Sequence, residues 1–323
     1  EHFRGMFAFA LYDRERSCLF LARDRLGIKP LFYSVLPDGQ LIFGSELKVL
    51  KQHPRLRRDV DPRSIEDYFA LGYIPEPKTI YREVHKLPPG HRVLYSRGEP
   101  MPEPRAYWDL HFEASNGDGE QRIAEELIER LREAVDIRLV SEVPLGAFLS
   151  GGVDSSAVVA MMAQLQDDPV NTCAIGFDVK QFDETDYAQT VAKRYSTNHF
   201  EQQVASEDFG LLDTLASLYD EPYADSSAIP TYRVCELAKQ RVTVALSGDG
   251  GDEHFAGYRR YRWHMNEERL RSRLPIGLRR PLFGALGRWY PKADWAPRVF
   301  RAKTTFQALA RDSVEAYMHT VSQ

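Results

Sequence analysis

The first part of the chain alternates short apolar runs with tight polar turns. Met6–Tyr12 is continuously apolar and partly aromatic, Asp13–Ser17 is a polar turn, and Cys18–Ala22 is a second apolar run. Leu31–Val35 and Leu41–Gly44 follow, joined through Pro37-Asp38-Gly39, residues that favour turn geometry. Strands at this spacing predict an antiparallel meander, closed by a short helix near Ser45–Lys51. Residues 98–119 are rich in Pro, Gly, Asp and Glu and read as a linker.

Beyond the linker the period changes. Ile123, Leu127, Leu131 and Val135 recur every four residues, which predicts an amphipathic helix over Glu120–Val140. Strands and helices then alternate. Pro144–Leu149 leads into a helix from Asp154, Val170–Phe177 leads into one near Asp186–Arg194, and Arg241–Leu246 is the next strand. Ser206 is placed to cap a helix whose apolar face is Phe209, Leu212, Leu215, Ala216 and Tyr219. Such alternation implies right-handed βαβ units on a parallel sheet. The expected organisation is a first domain at 1–97, the linker at 98–119 and a second domain at 120–323.

Composition narrows the class of function. A length of 323 residues suffices for two domains, and 43% hydrophobic residues supply ordinary cores. The net charge of -5 argues against a general nucleic-acid binder. No uninterrupted apolar run approaches the ~18 residues of a membrane helix, and no basic-then-apolar leader is present. Cys18, Cys173 and Cys235 are scattered, without the spacing of a zinc site, and fit a reducing compartment. The expectation is a soluble cytoplasmic protein that neither inserts into membranes nor binds nucleic acid. One local exception is the arginine run Arg259, Arg260, Arg262, Arg269, Arg271, Arg273, Arg279, Arg280 and Arg288. It reads either as a solvated helical face with ion-pair partners or as a contact for an anionic ligand or partner.

Three turns follow the parallel strands: Ser150–Ser156, Gly176–Asp178 and Ser247–Glu253. In open α/β sheets ligands bind at the carboxyl ends of the strands, so these turns are expected to share one edge. In the first, Gly151 and Gly152 admit close backbone approach, and the helix that follows offers free N–H groups. The hydroxyls of Ser150, Ser155 and Ser156 add donors, completing a cradle for phosphate. The Walker spacing and its lysine are absent. An aspartate in an anion cradle calls for a cation, and Asp154 with Asp252 would hold Mg²⁺ against a pyrophosphate group.

The motif SGGVDSS at Ser150–Ser156 resembles the pyrophosphate loop of N-type ATP pyrophosphatases. LSGDGGDEHFAGY (Leu246–Tyr258), DEPYADSSAIPTY (Asp220–Tyr232), RGMFAFALYD (Arg4–Asp13) and RDRLGIKPLFY (Arg23–Tyr33) are similar, in order, to segments of the glutamine-dependent asparagine synthetase family. The resemblance implies an α+β remnant of an Ntn-type glutaminase sandwich, the class II glutamine amidotransferase domain. An α/β parallel-sheet ATP pyrophosphatase domain, adenine nucleotide alpha hydrolase-like, would follow it. It further implies an ATP-dependent carbon–nitrogen ligase that adenylates a carboxylate, aspartate first among candidates, and transfers to it ammonia from glutamine. ATP and Mg²⁺ are the implied cofactors and a homodimer the implied assembly. Leu149 and Ile175 would meet the adenosine, and Ser150, Gly151, Gly152, Asp154 and Ser155 the pyrophosphate. Ser247 and Gly248 would border the nucleotide. Asp249 falls where many synthetases carry a catalytic glutamate.

The family's glutaminase uses an N-terminal cysteine, a role that neither Glu1 nor Cys18 fits. The chain is therefore expected to be truncated at both ends and not to hydrolyse glutamine, and Lys303 is given no catalytic role. Two other readings stand beside the leading one: a family amidotransferase acting on another acid, such as a cell-surface polysaccharide precursor, and a non-catalytic remnant.

Overall fold

Ala8–Asp13 (β1) and Cys18–Arg23 (β2) form an antiparallel hairpin. Its turn is held by the Asp13 carboxylate, which accepts the Glu15 and Arg16 N–H groups at 3.0 Å each. Phe32–Val35 (β3) and Leu41–Gly44 (β4) form a second hairpin, with Gly39 at φ 79 in its turn. Leu47–Leu50 (α1) follows. Pro62–Leu71 (α2) begins at Asp61, whose side chain accepts the Arg63 N–H at 3.0 Å, and stops at left-handed Gly72. His85–Lys86 (β5), His91–Ser96 (β6) and Arg105–Ala106 (β7) complete these strands.

The expected single meander does not form. The strands pair as β1-β2-β6-β7 and β4-β3-β5, two antiparallel sheets. The cause lies at the end of β2, where buried polar side chains turn the chain out of its sheet. Asp24 accepts the Leu26, Ile28 and Lys29 N–H groups at 3.2, 3.0 and 2.9 Å. Arg23, 4% exposed, donates to Lys29 O at 2.9 Å, Leu87 O at 2.7 Å and Glu76 at 2.6 Å. Leu21, Val93 and Tyr95 from one sheet then share a core with Leu31 and Tyr33 at the other. The alternate residue Phe32 faces a second core with Leu47 and Leu50.

The computed structural model describes residues 2–113, 119–178, 183–204, 209–292, 295 and 302–322. The chain divides into two compact units, one holding Glu1–Ser115 and Leu211–Asp225, the other Asn116–Gly210 and Ser226–Ser322. Positions 114–118 of the expected linker, and the expected cap Ser206, lie outside the described residues.

The second unit opens with Glu120–Leu139 (α3), then Leu145–Phe148 (β8), Val153–Leu165 (α4), Asn171–Phe177 (β9), Thr185–Arg194 (α5) and Asn198–Val204 (β10). The polar strand β10, largely exposed, has no apolar run to announce it. A short 3-10 turn at Phe209–Leu211 and Leu212–Leu218 (α6) come next, and Leu211–Asp225 packs within the first unit. There Glu221 pairs with Lys86 at 2.6 Å and accepts the Ile80 N–H at 2.7 Å, and Lys48 donates to Leu218 O at 3.0 Å.

Ala228–Lys239 (α7) and Val244–Leu246 (β11) return to the second unit. They are followed by Gly251–His254 (α8), Arg259–Arg271 (α9), Ile276–Trp289 (α10), Lys303–Leu309 (α11) and Ser313–Val321 (α12). The sheet order is β10-β9-β8-β11, all parallel. Val135, Val159, Met162, Ala188 and Ala192 from α3, α4 and α5 cover one face. Leu237 and Ala238 of α7 pack with Cys173 in a separate cluster. Of the α3 stripe, Val135 is buried while Ile123 and Leu127 stay exposed. Strand order steps outward from β8 to β10, then reverses, because β11 joins on the other side of β8. Such a reversal opens a crevice at the strand ends.

Candidate functional site

The turns after β8 and β11 meet at that crevice. Leu149 extends the ladder, its N–H donating to Cys173 O at 2.9 Å. The chain then bends through Gly151 at φ 80 into α4. A Cβ on Gly151 would lie 2.5 Å from Tyr187 Cβ and 2.6 Å from Ala188 N, so α5 packs directly on this turn. The serines brace it: the Ser150 and Ser155 hydroxyls lie 3.0 Å apart, Ser155 Oγ donates to Gly152 O at 3.3 Å, and the Gly152 N–H donates to Ser150 Oγ at 3.3 Å. Ser156 Oγ is buried without a hydrogen-bond partner. Asp154 sits in the first turn of α4.

The second turn presses against the first. A Cβ on Gly248 would lie 2.5 Å from Ser155 N and 3.0 Å from Asp154 Cβ, and one on Gly251 would collide with the Asp154 carboxylate. The two turns, far apart in sequence, are therefore in contact through glycines. Gly250 at φ 91 carries the chain into α8, and Ser247 Oγ donates to Asp249 Oδ2 at 3.0 Å. The aspartate also acts at a distance: burial first, and then the Asp249 charge, push the Cys235 thiol up. Past α8, Tyr258 donates to Glu253 Oε1 at 2.6 Å, a bond that pushes the phenol up to about 12 and holds the exposed carboxyl below its ordinary range.

Together the turns border a cavity of 590 Å³. Leu149, Ser150, Gly152, Asp154, Ser155, Ile175, Ser247, Gly248, Asp249 and Asp252 all line it. Gly151 and Ser156 do not: one lies under α5, the other has its hydroxyl buried. Residues that the sequence reading gave no place in the site also line the cavity, among them Phe148, Cys173, Glu184, Thr185, Pro230, Thr231 and Val234. Pro230 and Thr231 fall inside the DEPYADSSAIPTY motif, a signal that was available. Phe177, from the expected Gly176–Asp178 turn, lines it too, although that turn lies largely within β9. Cys173 is buried, and burial pushes its thiol up against the opposing pull of Arg241.

Chemically, the cavity lining combines apolar side chains such as Leu149, Ile175 and Phe177 with the hydroxyls of Ser150 and Ser155 and the carboxylates of Asp154, Asp249 and Asp252. Among the described residues no group of three or more His, Cys, Asp or Glu side chains is arranged to hold a metal by itself. The two carboxylates Asp154 and Asp252 do suit Mg²⁺, which takes one or two carboxylates and fills its remaining positions with water and substrate phosphate.

A family model described as Asparagine synthase matches residues 126–322, and one described as Glutamine amidotransferase domain matches residues 1–108. A Methanocaldococcus jannaschii protein named "Putative asparagine synthetase (glutamine-hydrolyzing) 2" is 39% identical over 274 residues, 84% of this chain and 52% of the relative. Asparagine synthetase (glutamine-hydrolyzing) 1 of Bacillus subtilis is 33% identical over 280 residues, 86% of this chain and 43% of the relative. Amidase chyE of Penicillium rubens is 33% identical over 291 residues, 83% of this chain and 42% of the relative. The chain spans about half the length, or less, of these curated relatives. The matched domains, in the order and over the segments where the motifs lie, make the chain a member of the asparagine synthase family.

Proposed function

We propose that the chain binds ATP in the cavity between the β8 and β11 turns and serves an ATP-dependent, glutamine-using amide synthetase. The observation that carries this reading is the contact of Gly248 and Gly251 with Asp154 and Ser155, which joins a phosphate cradle to a second acidic turn. The first unit, whose two antiparallel sheets share core residues, would be part of the glutaminase.

In this reading the adenosine lies toward Leu149 and Ile175, and the phosphates lie against Ser150, Gly152 and Ser155. Free N–H groups at the start of α4 favour negative charge there. Asp154 and Asp252 would hold Mg²⁺, which neutralises the phosphate charge that otherwise repels an incoming carboxylate. The acid's carboxylate oxygen attacks the α-phosphorus and pyrophosphate departs. Ammonia then attacks the acyl carbon and AMP leaves. Asp249, oriented by Ser247, is placed to take the proton released by the attacking nitrogen.

Aspartate is the leading acid, by the names of the Bacillus subtilis and Methanocaldococcus jannaschii relatives. A second reading, a family amidotransferase acting on a different acid, stands beside it, since not every similar relative carries the asparagine synthetase name and one is named Amidase chyE. Pyrophosphate exchange into ATP, with magnesium and a series of candidate acids, separates the two. Asp154→Ala is expected to lower that exchange ~100-fold, the scale of losing one preorganised electrostatic group. Undiminished exchange in a folded variant removes Asp154 from the chemistry.

A further inference from the structure

The segment after β11 carries glycines for two different reasons. Gly250, at φ 91, is required by the backbone. Gly251 and Gly257 are not, since neither lies in the left-handed region. The left-handed residue of the second bend is Ala256, at φ 55, one position before Gly257. What Gly251 and Gly257 share is a neighbouring carboxylate. A Cβ on Gly251 would fall on the Asp154 carboxylate, with Oδ2 at 2.5 Å and Oδ1 at 2.7 Å. A Cβ on Gly257 would fall on Asp252 Oδ1, with Cγ at 2.9 Å and Cα at 3.2 Å. Each of the two acids suited to magnesium thus rests against main chain that has no side chain of its own.

The segment that brings Gly257 there is closed on itself. The Phe255 N–H donates to Gly251 O at 2.8 Å and the Gly257 N–H to Asp252 O at 3.0 Å. Tyr258, the next residue, is bonded to Glu253 and carries the Arg260 guanidinium over its ring at 4.3 Å. Left-handed backbone at an alanine is disfavoured and persists where the surrounding structure imposes it. These bonds hold residue 257 against α8, so the room left for the Asp252 carboxylate depends on what residue 257 lacks.

We propose that Gly257 is a positioning residue, whose bare α-carbon leaves the space in which the Asp252 carboxylate stands and so holds that carboxylate where it lines the cavity. The inference rests on the magnesium–ATP reading of this cavity and deepens it. Asp252 and Gly257 are both exposed, so a methyl at 257 displaces the carboxylate instead of disrupting a core. Magnesium demands near-octahedral ligands at about 2.0–2.1 Å and tolerates such a displacement poorly.

The test is a double-mutant cycle on the full chain, read as the half-saturating magnesium concentration for ATP binding in titration calorimetry. Gly257→Ala is expected to raise that concentration ~10-fold or more, the scale of losing a group that orients a metal ligand. In an Asp252→Ala background the methyl enters space the carboxylate has left, and the further change is expected to stay under about 2-fold. Gly284→Ala, which adds a methyl to open space on α10, is the control and is expected to change nothing. A Gly257→Ala chain that folds only when Asp252 is also alanine supports the proposal, and one that folds in neither background overturns it. An equal loss in both backgrounds, or no loss in either, overturns it too and leaves the nucleotide reading intact. A wild-type chain whose ATP binding ignores magnesium sinks that reading, and this proposal with it.

Discussion

Among the glycines that line the candidate cavity, Gly248 comes nearest to neighbouring main chain. A methyl group there would stand 2.5 Å from a main-chain nitrogen and 3.0 Å from Asp154 Cβ, and neither can yield without moving the start of α4. Overpacking of this kind costs about 1–3 kcal/mol. Gly248→Ala is therefore expected to weaken magnesium–ATP binding ~10-fold or more, by titration calorimetry, with little change in helix content. At this scale the sequence was most readable where turn chemistry is distinctive. Ser150, Asp154, Ser247 and Asp249 stand out because small and acidic residues cluster after apolar runs. Val234 does not, because it belongs to a helix whose composition reads as ordinary packing, and Pro230 and Thr231 are marked only by the DEPYADSSAIPTY motif around them. Which glycine meets which aspartate is a matter of close approach between distant segments, and no local pattern encodes it.

Among the elements, the Leu211–Asp225 strap is anchored by few but well-placed groups. Lys86 and Glu221 are both largely buried, at 13% and 14% side-chain exposure, and the same carboxylate accepts the Ile80 N–H. Glu221→Ala leaves a shielded ammonium without its counter-charge, held only by its bond to Ile74 O at 2.8 Å, and strips a main-chain donor of its acceptor. It is expected to destabilise the first unit by about 3 kcal/mol, the cost of breaking a buried pair from one side. Urea unfolding monitored by tyrosine fluorescence reads this loss, and an unchanged midpoint would show that the pair contributes nothing. The elements foreseen along the sequence include α3, β8, α4, β9 and α5, whereas α2, β5, β6, β7, β10, α7 and the helices after β11 are not among them. Two departures have a clear physical cause. The polar strand β10 is recruited by pairing with β9 rather than by its own side chains. The split of the first strands into two sheets depends on Arg23 and Asp24, charged residues whose burial no alternation rule foresees.

Across the whole molecule, three histidines tie stability to acidity. Burial holds His85, His199 and His319 below the ordinary imidazole value, opposed by Glu103 at the first and Glu201 at the second and reinforced by Arg311 at the third. A depressed folded value means that the unfolded chain binds the proton more readily. Their contribution is then complete above about pH 6.5 and declines as the pH falls through it. The urea midpoint is expected to drop between about pH 7.5 and about pH 5, and His199→Gln should flatten part of that slope. A midpoint that stays level over this range would separate these rings from stability.

The strand that leads into the second turn of the cavity is also the shortest of its sheet. Val244–Leu246 joins at one margin, yet the residues directly behind it include Ser247, Gly248, Asp249 and Asp252. On the proposed function, a nucleotide lying across both turns would work as a rivet, fixing the margin to the centre of the sheet. Part of its binding free energy would thereby be turned into cohesion of the protein itself. Occupancy and integrity of this edge would then be one equilibrium, in which a loosened margin lowers affinity and a filled cavity tightens the margin.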